Sequence, residues 1–200
     1  HDPYSSSKAC SELISAAYRN SFLKDSGINL ATVRAGNVIG GGDWAKDRLI
    51  PDFFRALNKK ELLQLRYPKA IRPWQHVLEP ISGYLMLAQK LLEGNAQYSD
   101  AWNFGPDEKN MSSVSDIIDY LSTKIKHIEK NNFNKSQLHE TNLLKIDSSK
   151  ARSKLGWSNK WNLKMTLDKT IQWYQAWQKH EDLISLTISQ IDEYQNKLVK

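Results

Sequence analysis

The sequence predicts an α/β fold, and three observations predict it. Segments of helical period alternate with short runs rich in β-branched and aromatic residues, and glycines sit at the joints between them. No apolar run approaches the roughly 20 residues that a membrane-spanning helix needs. The 200 residues are 40% hydrophobic and 25% charged, which is the composition of a globular chain.

The elements run in order. Over residues 5–24, Ala9, Leu13, Ala16, Ala17 and Phe22 recur near helical spacing, with Pro3 where a helix can begin and Gly27 where it stops. INLATVR (28–34) reads as a short buried strand, and AGNVIGGGDW after it as irregular. Residues 48–57 read as a short helix, LLQLR (62–66) as a strand, and 77–94 as an amphipathic helix with Pro80 in its first turn. AWNFG (101–105) is another short strand; the helix of 112–125 is capped by Ser112 or Ser113 with Asp116 in its opening turn. A polar loop is expected over 130–137, a strand at LLKID (143–147), a short helix at 148–157, a long helix over 163–180 and one more beyond Glu181.

Composition narrows the function. The net charge of +6, from 28 basic and 22 acidic residues, is dispersed along helices, so nucleic acid is not an expected partner and an anionic small molecule suits the excess as well. Cys10 is the single cysteine and C-x-x-C spacing is absent, so neither an internal disulfide nor a metal site is expected, and a reducing cytoplasm is the expected setting. A first residue of His rather than Met suggests a piece of a longer protein.

The stretch PYSSSK carries the sharpest chemical signal. Four residues apart on a helix, Tyr4 and Lys8 share a face, and a nearby ammonium favours phenolate over phenol, as a general base needs. The same spacing opens many amphipathic helices with no chemistry. The residues downstream add weight: a Gly27 stop, a buried strand ending at Arg34, then R-x-x-N (Arg34, Asn37) and a glycine-rich turn. This order resembles the extended short-chain dehydrogenase/reductase family, the NAD-dependent epimerases and dehydratases. The blocks HDPYSSSKACSEL, RAGNVIGGGDWAKDRLIPD, RPWQHVLEPISGYL, AWNFGPDE and LLKIDSSKARSKLGW, in one order with suitable gaps over most of residues 1–177, are similar to the nucleotide-sugar 4,6-dehydratases of that family, those acting on CDP-glucose in particular.

The resemblance implies the second half of an NAD(P)-binding Rossmann-type domain plus a smaller α/β nucleotide-sugar-binding domain. Residues 1–36 would be the C-terminal part of the first, 37–180 mostly the nucleotide-sugar region with segments returning to the sheet, and 181–200 a C-terminal helix. It implies NAD as cofactor, Tyr4 as catalytic base, and Lys8 as the residue that binds the nicotinamide ribose and tunes the tyrosine. It also implies CDP-glucose or a related nucleotide sugar as substrate, converted to CDP-4-keto-6-deoxyglucose by oxidation at C4, loss of water across C5 and C6, and hydride return to C6. The setting it implies is deoxysugar and O-antigen biosynthesis, in a parent that pairs as a homodimer. The dinucleotide fingerprint, a catalytic Ser or Thr and the dehydrating Asp and Lys would lie upstream of Tyr4, so the 200 residues alone are expected to be inactive.

Each expected substrate contact has a physical reading beside this. Asn37 offers an amide to a phosphate or sugar oxygen, and Gly40, Gly41 and Gly42 give a backbone that can pass close to a ligand or merely turn a loop. The run does not fit G-x-G-x-x-G, because position 45 is Ala45. Arg48 stands at a helix start, and Arg72 precedes Pro73 and Trp74, where it could clamp a diphosphate or stack on the indole at the surface. Asn103 lies at a strand end, where α/β proteins place ligand contacts, and His139 in a loop that could reach the nucleotide. Trp157, Trp161, Trp173 and Trp177 read as packing of the C-terminal helices rather than a stacking platform. A nucleotide-sugar epimerase or another dehydratase on the same scaffold, and a non-catalytic nucleotide-binding module, are the alternatives.

Overall fold

The computed structural model describes residues 2–125, 129–132 and 144–196. Helix α1 (Pro3–Tyr18) begins where the Asp2 carboxylate accepts the Ser5 N–H at 2.9 Å and Pro3 takes a position whose N–H no helix needs. A wider turn, Arg19–Leu23, carries the chain to Gly27, whose φ of 74° reverses it into β1 (Thr32–Ala35). Then come β2 (Asn37–Ile39), α2 (Leu49–Lys59), β3 (Leu63–Leu65), β4 (Ile71–His76) and α3 (Leu78–Leu92). After β5 (Ala101–Phe104) and β6 (Met111–Ser113), α4 (Val114–Lys124) opens on a capping box in which Ser113 and Asp116 each take the other's backbone N–H. Strand β7 (Lys130–Asn132), α5 (Leu163–Gln178, capped by Asn162) and α6 (Leu183–Asn196) complete the chain.

The chain divides into two compact units. The first, His1–Ala35, Pro80–Phe104 and Asp147–Ser158, holds the parallel pair β1–β5, in register with Arg34 opposite Asn103. Its core is Leu87, Trp102, Phe104, Ala151, Leu155 and Trp157. Gly83 lets α3 approach that core, since a Cβ there would fall 2.3 Å from the Phe104 ring. Helix α1 buries none of its residues, and Leu13, Ile14 and Tyr18 are exposed, as is Phe22 beyond it.

The second unit, Gly36–Glu79, Gly105–Ile146 and Asn159–Lys200, contains β2–β4–β6 and the parallel pair β3–β7. Strand β4 runs parallel to β2 through Trp74–His76 and antiparallel to β6 through Ile71–Pro73. Phe53 and Phe54 of α2, Ile117, Ile118 and Leu121 of α4, and Tyr174 of α5 fill the core. Side chains of this size each contribute roughly 1.5–3 kcal/mol by leaving water.

Several expectations are corrected. AGNVIGGGDW is not wholly irregular, because Asn37–Ile39 pairs with β4 as a strand. The strand expected over 28–34 forms only from Thr32 onward, and β4, interrupted by a proline, had no periodic signal. Lys130–Asn132 is a strand rather than loop because it pairs with β3, and the rest of that expected loop lies outside the described residues. Residues 144–147 of LLKID form no regular strand, although the Leu144 N–H donates to the Ile71 carbonyl at 3.3 Å, and Leu143 lies outside the described residues. Trp157 packs in the core of the first unit, not between the C-terminal helices.

Gly83→Ala provides a test of that packing. Helix propensity alone favours alanine by about 1 kcal/mol, but the buried Phe104 and Trp157 rings leave the methyl no room. A net loss of about 1–3 kcal/mol is expected by urea denaturation of the full-length protein. A gain would mean that the Phe104 ring moves aside freely.

Candidate functional site

A cleft of about 560 Å³ opens in the second unit, where β2, the loop after it, the start of α2 and the strands β3 and β4 converge. The loop is held from several sides. A Cβ on Gly41 would fall 2.0 Å from the Trp173 ring, so the loop lies directly against α5 and the middle glycine serves that approach. The Tyr174 hydroxyl donates to the Asp43 carbonyl, and burial pushes that phenol's pKa upward. Arg55 donates to the carbonyls of Trp44 (2.8 Å) and Ala45 (2.9 Å), while the Trp44 ring packs 4.5 Å from that of Trp177. Asp47, at φ 63°, makes a left-handed turn into α2. The clamped loop thereby presents Asp43, Asp47 and Arg48 to the cleft.

Three of the expected substrate residues, Asn37, Arg48 and Arg72, line this one cleft. Arg72 is only 7% exposed and donates to the Ile71 carbonyl at 3.0 Å, so it is not the surface arginine of the plainer reading. Arg48 stands 3.7 Å from the Asp43 carboxylate. Sequence reasoning missed Arg66 and Tyr67, which line the same cleft from the end of β3. The signal was a cation closing LLQLR, the position on a parallel strand that α/β proteins use for ligands. Arg66 donates to Asp47 at 3.1 Å.

The other expected residues lie elsewhere. Tyr4 and Lys8 belong to the first unit, with the lysine Nζ 5.5 Å from the centroid of the tyrosine ring and Tyr4 72% exposed. Asn103, also in the first unit, donates its amide to the Asp147 carbonyl at 3.1 Å. His139 lies outside the described residues. Among the described residues no His, Cys, Asp and Glu cluster has the make-up of a metal site, and no helix is long and apolar enough to cross a membrane.

At the end of β4 and just beyond it, two titratable groups, His76 and Glu79, are buried. Glu79 accepts the N–H groups of Lys160 (3.0 Å) and Trp161 (2.7 Å) and the hydroxyl of Tyr194 (2.8 Å). Burial pushes its pKa up, against the pull of those donors. His76 packs edge-on to Trp161 at 4.7 Å, takes the Leu78 N–H on Nδ1, and has no hydrogen-bond partner for Nε2 among the described residues. Burial, with a smaller contribution from the Lys169 charge, lowers its pKa to about 4.

An α/β chain that gathers arginines and an amide around one cleft at its strand ends has the make-up of a site for an anionic small molecule. The chain belongs to the GDP-mannose 4,6 dehydratase family, whose model matches residues 1–170. It is 44% identical over 97% of its length to a CDP-glucose 4,6-dehydratase of Salmonella typhimurium, of which it covers 56%. Its fold is that of a dTDP-glucose 4,6-dehydratase of Bacillus anthracis solved in complex with NAD (TM-score 0.69, 23% identity, 88% of this chain and 52% of that one). The dTDP-glucose 4,6-dehydratase of Streptomyces venezuelae solved with NAD and TYD bound shares it too (TM-score 0.71, 19% identity, 90% and 53%). The chain spans about half the length of these relatives.

The buried histidine has a measurable consequence. A histidine whose folded pKa lies below its ordinary 6.5 favours the fold when neutral, so this contribution is fully present above pH 6.5 and is lost as pH falls through about 4. A shift of that size corresponds to about 3 kcal/mol. Unfolding free energies of the full-length protein measured across this range should fall more steeply than those of His76→Gln. Equal slopes would show that His76 does not carry this titration.

Proposed function

We infer that this chain is the substrate-binding and base-bearing portion of an NAD-dependent nucleotide-sugar 4,6-dehydratase acting on CDP-glucose. The observation that carries the reading is the joint presence of two things: 44% identity to a CDP-glucose 4,6-dehydratase across 97% of the chain, and a cleft that gathers Asn37, Arg48 and Arg72. Arg72, already ordered by burial, offers its guanidinium to a diphosphate at little entropic cost. Arg48 adds an exposed cation, and Asn37 an amide for a phosphate or sugar oxygen. Asn103 enters as a substrate contact on its sequence block alone, and His139 on its place in the loop before LLKID.

The exposed Tyr4 hydroxyl and the cation over its ring fit a dinucleotide's ribose, which needs a hydroxyl partner and an ammonium on one accessible face. NAD supplies the hydride acceptor for oxidation of the sugar at C4. The Tyr4 oxygen takes the proton of the C4 hydroxyl, and Lys8 places positive charge beside the group that holds it. Loss of water across C5 and C6 needs a further acid and base, which the resemblance puts upstream of Tyr4. The product class is a 4-keto-6-deoxy nucleotide sugar, made in the cytoplasm by a homodimeric parent for deoxysugars of the lipopolysaccharide O-antigen. Neither nucleic acid nor membrane takes part.

Two measurements on the full-length protein test this. With NAD and CDP-glucose, the 4-keto product is followed by its absorbance in alkali. Tyr4→Phe should keep calorimetric binding of CDP-glucose while product formation disappears, because the ring remains and the oxygen goes. Turnover near that of the parent would move the base elsewhere. Arg72→Ala should weaken CDP-glucose binding by about 10- to 150-fold, the loss of a charged hydrogen bond of about 1.5–3 kcal/mol. Unchanged affinity would remove Arg72 from the site, and absence of turnover with any nucleotide sugar would favour a non-catalytic binding module.

A further inference from the structure

We propose that Asp47 sets the affinity of the cleft by competing with an anionic ligand for Arg66. The inference rests on the nucleotide-sugar reading above and adds a device to the same site. Arg66 and Asp47 line both the main cleft and a second one of about 400 Å³ that continues past α2 toward Lys59 and Glu61. The pair therefore stands at the partition between the two, joined by one contact of 3.1 Å.

Three features make it a competitor rather than a brace. The side chains are 57% and 79% exposed, and an ion pair so open to water contributes little to the fold. The carboxylate is kept near Arg66 by its backbone, because the loop that carries it is held by Trp173, Tyr174 and Arg55 and turns through the left-handed region at Asp47. A diphosphate brings more charge and more acceptor oxygens than one carboxylate, and it suits the forked guanidinium better. The pattern recurs one residue further along, where Arg48 has Asp43 of the same loop at 3.7 Å. Both exposed arginines of the cleft are thus held by aspartates of one loop, and a ligand that does not outbid a carboxylate does not obtain them. Weak monoanions are thereby excluded and diphosphates admitted.

The test is a double-mutant cycle read by calorimetry on the full-length protein, with CDP and inorganic pyrophosphate as probes. Asparagine tolerates the left-handed backbone, so Asp47→Asn removes the charge without forcing the loop. It should tighten binding of both probes about 3- to 10-fold, and Arg66→Ala should weaken it by at least as much. In the Arg66→Ala background the gain from Asp47→Asn should disappear, because the guanidinium competed for is gone. A gain that persists in that background would be simple charge repulsion and would overturn the proposal, as would unchanged or weaker binding by Asp47→Asn. Thermal unfolding of each variant separates a lost site from a lost fold, and a set of variants that fold but leave both affinities at the parent's value counts against the proposal. Binding of pyrophosphate with no binding of CDP would sink the nucleotide reading while leaving the Asp47 cycle to be scored. Binding of neither would sink both.

Discussion

The second unit depends on the change of partner that β4 makes at Pro73. Residues Ile71–Pro73 pair with β6 and Trp74–His76 with β2, so one ladder ends where the other begins. A proline has no N–H to give, and inside a strand paired on both sides it would leave an acceptor unserved. At the handover that absence costs least. Gly36 completes the joint, since a Cβ there would lie 2.8 Å from the Pro73 carbonyl and would push β2 away. With the strand so placed, its period of two puts Arg72 and Trp74 on one face, and both line the cleft. Trp74 is fixed in turn by its N–H, which donates to the Ser112 carbonyl at 3.0 Å.

The chain from Arg72 to Glu79 buries four polar side chains, Arg72, Gln75, His76 and Glu79, an expensive stretch unless each meets a compensating group. Glu79 shows the compensation best. Its carboxylate collects two backbone N–H groups from the segment before α5 and a hydroxyl from α6. Lys160 adds its ammonium 4.2 Å from the centroid of the Tyr194 ring, and burial lowers that lysine's pKa despite the carboxylate nearby. A buried carboxylate thereby ties α6 to the end of β4. His76 takes the other route and stays neutral. The end of β4 is therefore held by directional bonds as well as by packing, which limits how far the strand can shift.

Elements with a periodic or capping signal were legible in the sequence. Ser113 and Asp116 announce α4, Gly27 the end of the first helical stretch, and the apolar faces of 49–59 and 163–178 their burial. What escaped was structure made by long-range pairing. Three residues such as Asn37–Ile39 or Lys130–Asn132 carry too little pattern to declare a strand, and they become strands because β4 and β3 offer ladders. Pro73 argued locally against β4 and was answered only by tertiary context. The site divides the same way. Asn37, Arg48 and Arg72 were legible because they sit in recognisable blocks, whereas Arg66 and Asp47 acquire meaning only when the fold sets them 3.1 Å apart. The glycine run serves both of its readings, since Gly40 lines the cleft while Gly41 lets the loop lie against Trp173.

Net charge explains little of this cleft. The chain's +6 is spread over its surface, while the cleft sets Arg48, Arg66 and Arg72 against Asp43, Asp47 and Asp52, near local neutrality. Attraction at long range is correspondingly weak, and selectivity must come from contact. The arginines are not equivalent in that contact. Arg72 is buried and ordered, so a ligand meeting it loses little conformational entropy, whereas Arg48 and Arg66 are exposed and must leave aspartates to engage. In the proposed reading, the ordered cation would fix where a diphosphate sits, and the two paired with loop aspartates would decide which anions stay.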